Sequence, residues 1–243
     1  MQPVLFDLYP EKVPLLRLGK KWLVFDKSLL KKTIAFGWAS AMQQATVQLG
    51  KIGIQAIVNT MGVSVSAAFA VVNRIDDFAY TPEQNIAHAM TALMAQNKGA
   101  GKTGRMKEGF RSGIILEIIY GILIFIICFT FARPLMLMFV KDEEVIGHGV
   151  TYLHLISVMY LLPALTNGIQ GFFRGIGDLK ITLISSFINM ALRVLAAAPL
   201  VLIWKMGIEA LPYSYLAGWI GMLVAETPLL LKTYKTWGKK ARQ

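Results

Sequence analysis

The chain alternates between long apolar stretches and short polar segments. Each apolar stretch is long enough to cross the hydrocarbon core of a membrane as a helix, which takes about 20 residues for a core of about 30 Å. The pattern therefore predicts an all-α, polytopic membrane protein with six transmembrane helices. The stretches lie at residues 34–61, 65–96, 110–132, 145–172, 181–204 and 211–231.

Basic residues are concentrated in every second segment between these stretches. Of the 25 Lys and Arg residues, 19 lie in four clusters, whereas the other connecting loops hold three. Because Lys and Arg are retained on the cytoplasmic side of a membrane, we predict a multi-pass protein of the cell membrane (inner or plasma membrane) with both termini in the cytoplasm. The clusters occupy residues 1–32, 98–111, 174–180 and 232–242.

The composition agrees with a membrane protein and argues against other classes. The chain is 55% hydrophobic, more than an ordinary soluble domain. Its net charge of +11 would suit a nucleic-acid binder, but no aromatic-basic module that reads nucleic acid is present. Orientation and contact with anionic headgroups explain the basic clusters better, so we expect membrane lipids and no nucleic acid as partners. The single cysteine, Cys128, cannot form an intrachain disulfide and has no metal-ligand spacing.

The first apolar stretch carries a line of polar side chains. Their spacing of 4, 3, 4 and 4 residues places them within about 80° of one another around a helix. Lys51 lies near the predicted midplane, where an unpaired, unhydrated charge costs on the order of a few kcal/mol. This polar face must therefore line either a helix interface or a wet cavity. Its members are Gln44, Gln48, Lys51, Gln55 and Asn59.

The second stretch repeats this pattern and adds ionisable residues. Arg74 and Asp77 have a spacing at which they can pair on a helix surface, while Asp76 and Glu83 point to a neighbouring side. Two interpretations remain open: an ion-pair network that holds helices together, or a cation or proton site whose carboxylate changes partner during transport. Pro82 is predicted to bend this helix. The polar face consists of Asn73, Asp77, Tyr80, Gln84, His88 and Thr91.

The remaining polar residues suggest neither a metal site nor catalysis. Arg193 has no acid in its own helix and needs a carboxylate or carbonyl groups from another. Glu117 and Glu226 are single acids in the third and sixth stretches. No pair of histidines has the spacing of zinc ligands, and no hydrolase or protease motif is present. We therefore expect no metal site and no enzyme.

Four short motifs stand out at the ends and turns of the predicted helices. Residues 73–76 read Asn-Arg-Ile-Asp and are followed by Pro82 and by Gln-Asn-Lys-Gly-Ala-Gly-Lys at 96–102. Arg-Pro-Leu at 133–135 precedes an acidic cluster, and Arg-Gly-Ile-Gly-Asp at 174–178 follows the fourth stretch. In order and spacing these motifs resemble the multidrug and toxic compound extrusion (MATE) transporters, over nearly all of residues 12–235.

This resemblance implies one half of a transporter. Family members have twelve helices in two six-helix lobes that rock around a central cavity, and residues 32–235 would form the C-terminal lobe. Residues 1–31 would be a linker-like cytoplasmic segment and 236–243 a basic cytoplasmic tail. The implied activity is secondary antiport, in which small amphipathic, often cationic drugs and toxic compounds leave in exchange for Na⁺ or H⁺. The implied partner is the missing N-terminal lobe, encoded upstream or as a separate chain, and no cofactor other than the coupling ion is expected.

The resemblance also suggests roles for the polar residues inside the membrane. Three acids would bind the ion or the substrate: Asp76, Asp77 and Glu83. Three cations would be their charge partners: Lys51, Arg74 and Arg193. Eight polar side chains would line the cavity: Gln44, Gln48, Gln55, Asn59, Asn73, Tyr80, Gln84 and His88.

Two other functions remain open from the sequence. A flippase of lipid-linked precursors, from the same broad superfamily, would need a distinctly cationic cavity for its pyrophosphate, whereas this chain offers both signs of charge. A truncated, non-transporting membrane subunit would fold or bind a partner without rocking, because half of a two-lobe pair has no counterpart to move against.

Overall fold

The computed structural model describes residues 25–240, with side chains up to residue 236. These residues form eight α-helices and contain no strand. Residues 1–24 of the predicted linker-like segment 1–31 lie outside the described residues. Of the predicted tail 236–243, only residue 236 has a described side chain. The helices are α1 (Lys27–Asn59), α2 (Val63–Gly99), α3 (Thr103–Thr130), α4 (Ala132–Leu137), α5 (Glu143–Ser157), α6 (Leu161–Gly175), α7 (Leu179–Leu202) and α8 (Ala210–Lys240).

Each of the six apolar stretches coincides with one long helix or, for the fourth, with a pair of helices. Within the described residues, three helices have the length and apolarity of a membrane span: α3, α7 and the part of α8 at Ala210–Thr236. Helices α5 and α6 make a fourth if they are counted as one bent span. Helices α1 and α2 have 33 and 37 residues, about 50 Å and 55 Å of helix, and carry the polar faces. The all-α, polytopic membrane fold is therefore confirmed.

The fourth predicted crossing is interrupted. Helices α5 and α6 are separated by residues 158–160 and are bent by 53° relative to each other. Pro163 explains the break, because it has no N–H to donate to the Met159 carbonyl and its ring would clash with that carbonyl in a continuous helix. By contrast, α2 remains one helix through Pro82.

Acidic residues begin two of the helices. The Asp142 carboxylate accepts two backbone N–H bonds at the start of α5, of 2.9 and 3.1 Å. Asp26 does the same at the start of α1, with bonds of 2.7 and 3.1 Å. Glu143 forms an ion pair of 2.9 Å with Arg133. The acidic cluster therefore stabilises the start of α5, as its helix dipole favours.

Helices α2 and α6 approach each other closely because α6 has glycines at the contact. A Cβ added at Gly171 would lie 2.6 Å from the carbonyl oxygen of Ala87, and one at Gly175 would lie 2.6 Å from that of Thr91. The Thr91 hydroxyl also donates a 3.1 Å hydrogen bond to the Gly171 carbonyl. Small residues permit such approach between membrane helices. This contact positions α6 beside the polar face of α2.

Candidate functional site

Polar side chains from five helices enclose a cavity of about 780 Å³ within the compact unit Ala39–Gln243. Small-molecule sites typically have volumes of about 300–1,000 Å³. The wall is built by α1, α2, α6, α7 and α8, and most of its polar groups are amides and hydroxyls. Five of the lining residues are Asp, Lys or Arg: Lys51, Asp76, Asp77, Arg174 and Arg193.

Helix α1 contributes most of its predicted polar face to the cavity. Gln44, Gln48, Lys51 and Gln55 all line the wall. Asn59 does not, although we predicted it there. It lies one turn beyond Gln55, whose side-chain nitrogen donates a 2.8 Å hydrogen bond to the Asn59 side-chain oxygen. The cavity therefore ends near Gln55 along this helix.

Helix α2 presents its polar face and one buried acid. Asp76 is only 5% exposed, at the edge of the cavity. Its carboxylate accepts a 2.6 Å hydrogen bond from the hydroxyl of Tyr160, which lies in the break between α5 and α6. The Tyr80 ring packs edge-on against Tyr160, with centroids 5.5 Å apart. The other α2 residues on the wall include Asn73, Asp77, Gln84 and His88.

Two of the predicted charged residues lie away from the cavity. Glu83 is fully buried against α6, where the Asn167 side chain donates a 3.4 Å hydrogen bond to it. Arg74 is exposed and does not line the wall. The spacing allows Arg74 and Asp77 to pair, but they are not among the ion pairs of the described residues. Asp77 faces the cavity and Arg74 does not.

The Arg193 side chain interacts with aromatic rings as well as with an acid. Its guanidinium lies 3.7 Å from the ring centroid of Tyr215 and 5.1 Å from that of Trp219, both in α8. Gly218 leaves room for the arginine stem, since a Cβ there would lie 2.6 Å from its Cγ. Asp76 lies within electrostatic range of this guanidinium. We expected only a carboxylate or carbonyl partner, and the aromatic faces are additional.

One end of the cavity contains a hydrogen-bond network that the sequence analysis missed. The Gln43 amide donates to Gln170 at 3.0 Å and to Ser186 at 2.8 Å. The Ser185 hydroxyl donates a 2.5 Å bond to Glu226, which is fully buried. These residues come from four helices and have no local spacing in common. The pair of serines on an apolar helix is the one signal that could have pointed to them.

Side chains also hold α1 against α7 beside this network. A Cβ added at Gly50 would lie 2.6 Å from the Met190 sulfur, and one at Gly53 would lie 3.1 Å from a Val194 methyl. The α7 atoms nearest to these glycines all belong to side chains, and the contact borders the wall at Met190.

The wall of the cavity combines charged, amide and apolar side chains. Among the described residues, no three His, Cys, Asp and Glu side chains come together as a group that could hold a metal ion. Aromatic and methionine side chains, including Phe69, Tyr215, Trp219 and Met222, lie beside the amides and charges. Such a surface can hold a molecule that has both an apolar body and a charged or polar group.

Comparison with known proteins gives consistent matches. The family model MatE matches residues 39–198. The probable multidrug resistance protein YoeA of Bacillus subtilis is 28% identical over 228 residues, and the probable multidrug resistance protein NorM of Thermotoga maritima is 24% identical over 229 residues. Each alignment covers 91% of this chain but only 47% and 48% of the relatives, respectively. The chain spans about half the length of the curated relatives it matches.

A solved structure supports the same fold. A crystal structure of MATE in complex with MaL6 superimposes with a TM-score of 0.86, covering 97% of this chain and 54% of the other, at 17% identity. This likeness extends over all the helices that build the cavity.

Proposed function

The chain belongs to the MatE family, and we propose that it is one six-helix lobe of a secondary antiporter. The complete transporter exports amphipathic, often cationic drugs and toxic compounds in exchange for Na⁺ or H⁺. MatE relatives are transporters and not enzymes. The missing half is an N-terminal lobe, supplied by the same gene or by a separate chain. The half-length coverage of the relatives supports a missing half.

The observation that carries this proposal is the environment of Asp76. The carboxylate lies at the cavity edge and accepts a hydrogen bond from Tyr160, while Lys51 and Arg193 lie within electrostatic range. No ion pair within 4.0 Å holds Asp76 among the described residues. A cationic substrate or a coupling ion can therefore compete with Lys51 and Arg193 for the same carboxylate, which is the exchange that antiport requires.

The acids on and behind the wall make a cationic or neutral substrate compatible with the cavity. The Arg193 guanidinium is covered by two rings, and Arg174 interacts with the buried Glu226. Lys51 and Arg193 lie within electrostatic range of Asp76. With Glu226 included, the wall and its neighbour supply three basic and three acidic side chains, so no net positive charge opposes a cation in the cavity.

We place the complete protein in the cell membrane with both termini of this chain in the cytoplasm. The asymmetry of Lys and Arg between alternate loops supports this orientation. The basic segments would then face anionic headgroups of the inner leaflet.

The test requires both lobes. We would express the chain with an N-terminal lobe, reconstitute the pair in liposomes and measure export of a fluorescent cationic dye under a Na⁺ or a H⁺ gradient. Asp76→Asn should reduce export at least tenfold while its melting temperature stays within a few degrees of the parent. The matched control is Asp142→Asn, which removes an acid from a loop cap and should leave the rate per folded molecule unchanged. Normal export by folded Asp76→Asn would remove the main support for the proposal.

A flippase of lipid-linked precursors is the second candidate, favoured by the count of cations on the wall. Three lining cations, Lys51, Arg174 and Arg193, face two lining acids, and a pyrophosphate binds such groups. The same liposomes should be tested with a fluorescent polyprenyl pyrophosphate. The flippase would be supported if the parent protein flips this lipid but does not export the cationic dye, and if Arg174→Gln abolishes the flipping.

A further inference from the structure

Two buried acids lie behind the cavity wall, where α2, α3 and α6 meet. Glu83 in α2 and Glu117 in α3 are both 0% exposed. Among the described residues, both oxygens of Glu117 and one oxygen of Glu83 have no hydrogen-bond partner. The other Glu83 oxygen accepts a long bond of 3.4 Å from Asn167. Because buried polar groups are nearly always hydrogen-bonded, these carboxylate oxygens require an additional partner.

The helix packing aims Glu117 into this interior position. Gly113, Glu117 and Gly121 follow one another at four-residue intervals, so they share one face of α3. A Cβ at Gly113 would collide with Met90 of α2. From the side of α6, a Cβ at Gly168 would lie 3.6 Å from the Glu117 side chain. Glu117 therefore points to where three helices meet and not to lipid.

Among the described residues, no cation compensates the charge of this pair. The charged group that acts on Glu117 is Glu83, and the one that acts on Glu83 is Asp76. Tyr120, which also faces Glu83, donates its hydroxyl to the α2 backbone at 3.1 Å. The two other buried acids of the membrane interior, Asp76 and Glu226, each interact with an arginine. An uncompensated charge in an apolar interior is strongly unfavourable, so positive charge must come from solution.

We propose that Glu83, Glu117 and the Asn167 side chain form a binding site for one exchangeable monovalent cation, either Na⁺ or H⁺. Carboxylate and amide oxygens are suitable ligands for a hard cation. A proton would instead turn one carboxylate into a carboxylic acid that can donate a hydrogen bond. The amide of Asn167 can offer its oxygen to a metal ion or its nitrogen to a carboxylate.

Asn167 joins this site to the cavity. It lines the cavity wall and contacts Glu83 on its other side. A cation in the cavity therefore reaches the acids by passing Asn167. That the site holds the coupling ion rests on the proposed function, whereas cation binding itself does not and can be measured without transport.

The binding experiment uses the purified full chain in detergent. Unfolding is followed with a dye that fluoresces on reaction with Cys128, the single cysteine, which is 3% exposed in the fold. Melting temperatures are recorded in NaCl and in choline chloride at equal ionic strength, from pH 5.5 to 8.5. If Na⁺ occupies the site, the melting temperature should rise saturably with Na⁺, by roughly 5–10 °C at 100 times Kd, and Glu117→Gln should abolish the rise.

If the site takes a proton, the pattern differs. The melting temperature should then be equal in Na⁺ and choline and should fall as the pH rises, because the folded chain binds the proton more tightly than the unfolded chain. Glu117→Gln and Glu83→Gln should each flatten this dependence. Glu143→Gln, which changes an exposed acid in a loop ion pair, is the matched control and should retain the parent's dependence on Na⁺ and pH.

Three results would overturn the proposal. One is a parent chain whose stability depends on neither Na⁺ nor pH, which needs no variant to interpret. The second is a pair of folded Gln variants that keep the parent's dependences. The third is a Glu143→Gln control that loses the dependence on Na⁺ or pH to the same extent as Glu117→Gln and Glu83→Gln. Cation binding that persists when the two-lobe protein fails to export any compound would reject the proposed function and leave this site in place.

Discussion

The Tyr160 hydroxyl donates a 2.6 Å hydrogen bond to the Asp76 carboxylate, and Tyr160 lies in the bend between α5 and α6. The acid is thus held directly by a neutral donor. A neutral donor orients a carboxylate without cancelling its charge, so Asp76 remains able to attract a cation from the cavity. This tyrosine belongs to the break in the fourth crossing, since residues 158–160 are part of neither helix.

Removing the Tyr160 hydroxyl should destabilise the lobe. We expect Tyr160→Phe to lower the free energy of unfolding by about 2 kcal/mol, because the buried Asp76 carboxylate loses a hydrogen bond to a charged group. Thermal melting in detergent measures the effect. Tyr80→Phe is the matched control, since the Tyr80 hydroxyl is buried without a partner among the described residues and its loss should be neutral or slightly stabilising. Equal losses in both variants would contradict this explanation.

The stacking of Arg193 on Tyr215 should be measurable as a coupling energy. In a double-mutant cycle of Arg193→Met and Tyr215→Leu, we expect about 1–2 kcal/mol of coupling, the range of a desolvated cation–π contact. Thermal melting of the parent, the two single variants and the double variant gives the coupling energy. Tyr213→Leu, at a 43% exposed position of the same helix, should show no coupling with Arg193→Met. Coupling near zero for Tyr215 would mean that the ring merely fills space.

Adding a methyl group at the glycine contact between α2 and α6 should strongly destabilise the protein. Gly171→Ala places a methyl group 2.6 Å from a backbone oxygen, and we expect a loss of about 2–3 kcal/mol or more because the backbone cannot rotate away. Gly147→Ala, in α5, meets no atom within 4 Å and should be neutral or stabilise by up to about 1 kcal/mol. Expression level and melting temperature report both. A stable Gly171→Ala protein would show that the helices are farther apart.

The polar face of α1 should be reachable from water. In a Cys128→Ser background, cysteines at Gln48 and Gln55 should react with a charged thiol reagent, because both positions line the cavity. A cysteine at Leu49 should not, since this residue is 68% exposed on a side that does not line the cavity and is expected to contact lipid. The reaction is measured in assembled two-lobe protein in membranes. Equal protection at all three positions would indicate a dry helix interface.

The orientation of the chain can be tested with reporter fusions. We expect fusions after Gly62, Lys141 and Lys205 to report the outside, and those after Gly104, Asp178 and Gln243 to report the cytoplasm, because of the distribution of Lys and Arg. A fusion at Gly104 or Gln243 that reports the outside would contradict the predicted topology.

The helical period was sufficient to predict which side chains of α1 and α2 share a face. It could not tell which face meets a cavity and which meets another helix. Asp76 and Glu83 are seven residues apart, yet Asp76 contacts Tyr160 in the break before α6, whereas Glu83 contacts Asn167 in α6. That outcome depends on the position of α6, which close helix contact and a proline break determine. Neither is visible in the local pattern of α2.

Contacts between residues on different helices could not be predicted from the sequence. Glu226 and Ser185 are isolated polar positions in two apolar helices, and their 2.5 Å hydrogen bond exists only because α7 and α8 pack together. The rings beside Arg193 were missed for the same reason, since Tyr215 and Trp219 read as ordinary interior residues of α8. Charge and spacing within one helix predict a polar face, but partners on another helix require the tertiary structure.

The glycines of α6 also restrict how the cavity can change shape. Backbone meets backbone where Gly171 and Gly175 contact Ala87 and Thr91, so no rotamer change can loosen that seam, and α2 and α6 must travel as a rigid block. Helix α1 instead meets the side chains of Met190 and Val194 on α7, and packing against side chains permits sliding more readily than packing of backbone on backbone. During a transport cycle we therefore expect widening and narrowing to arise from shear of α1 along α7, while the corner that holds the buried acids keeps its form.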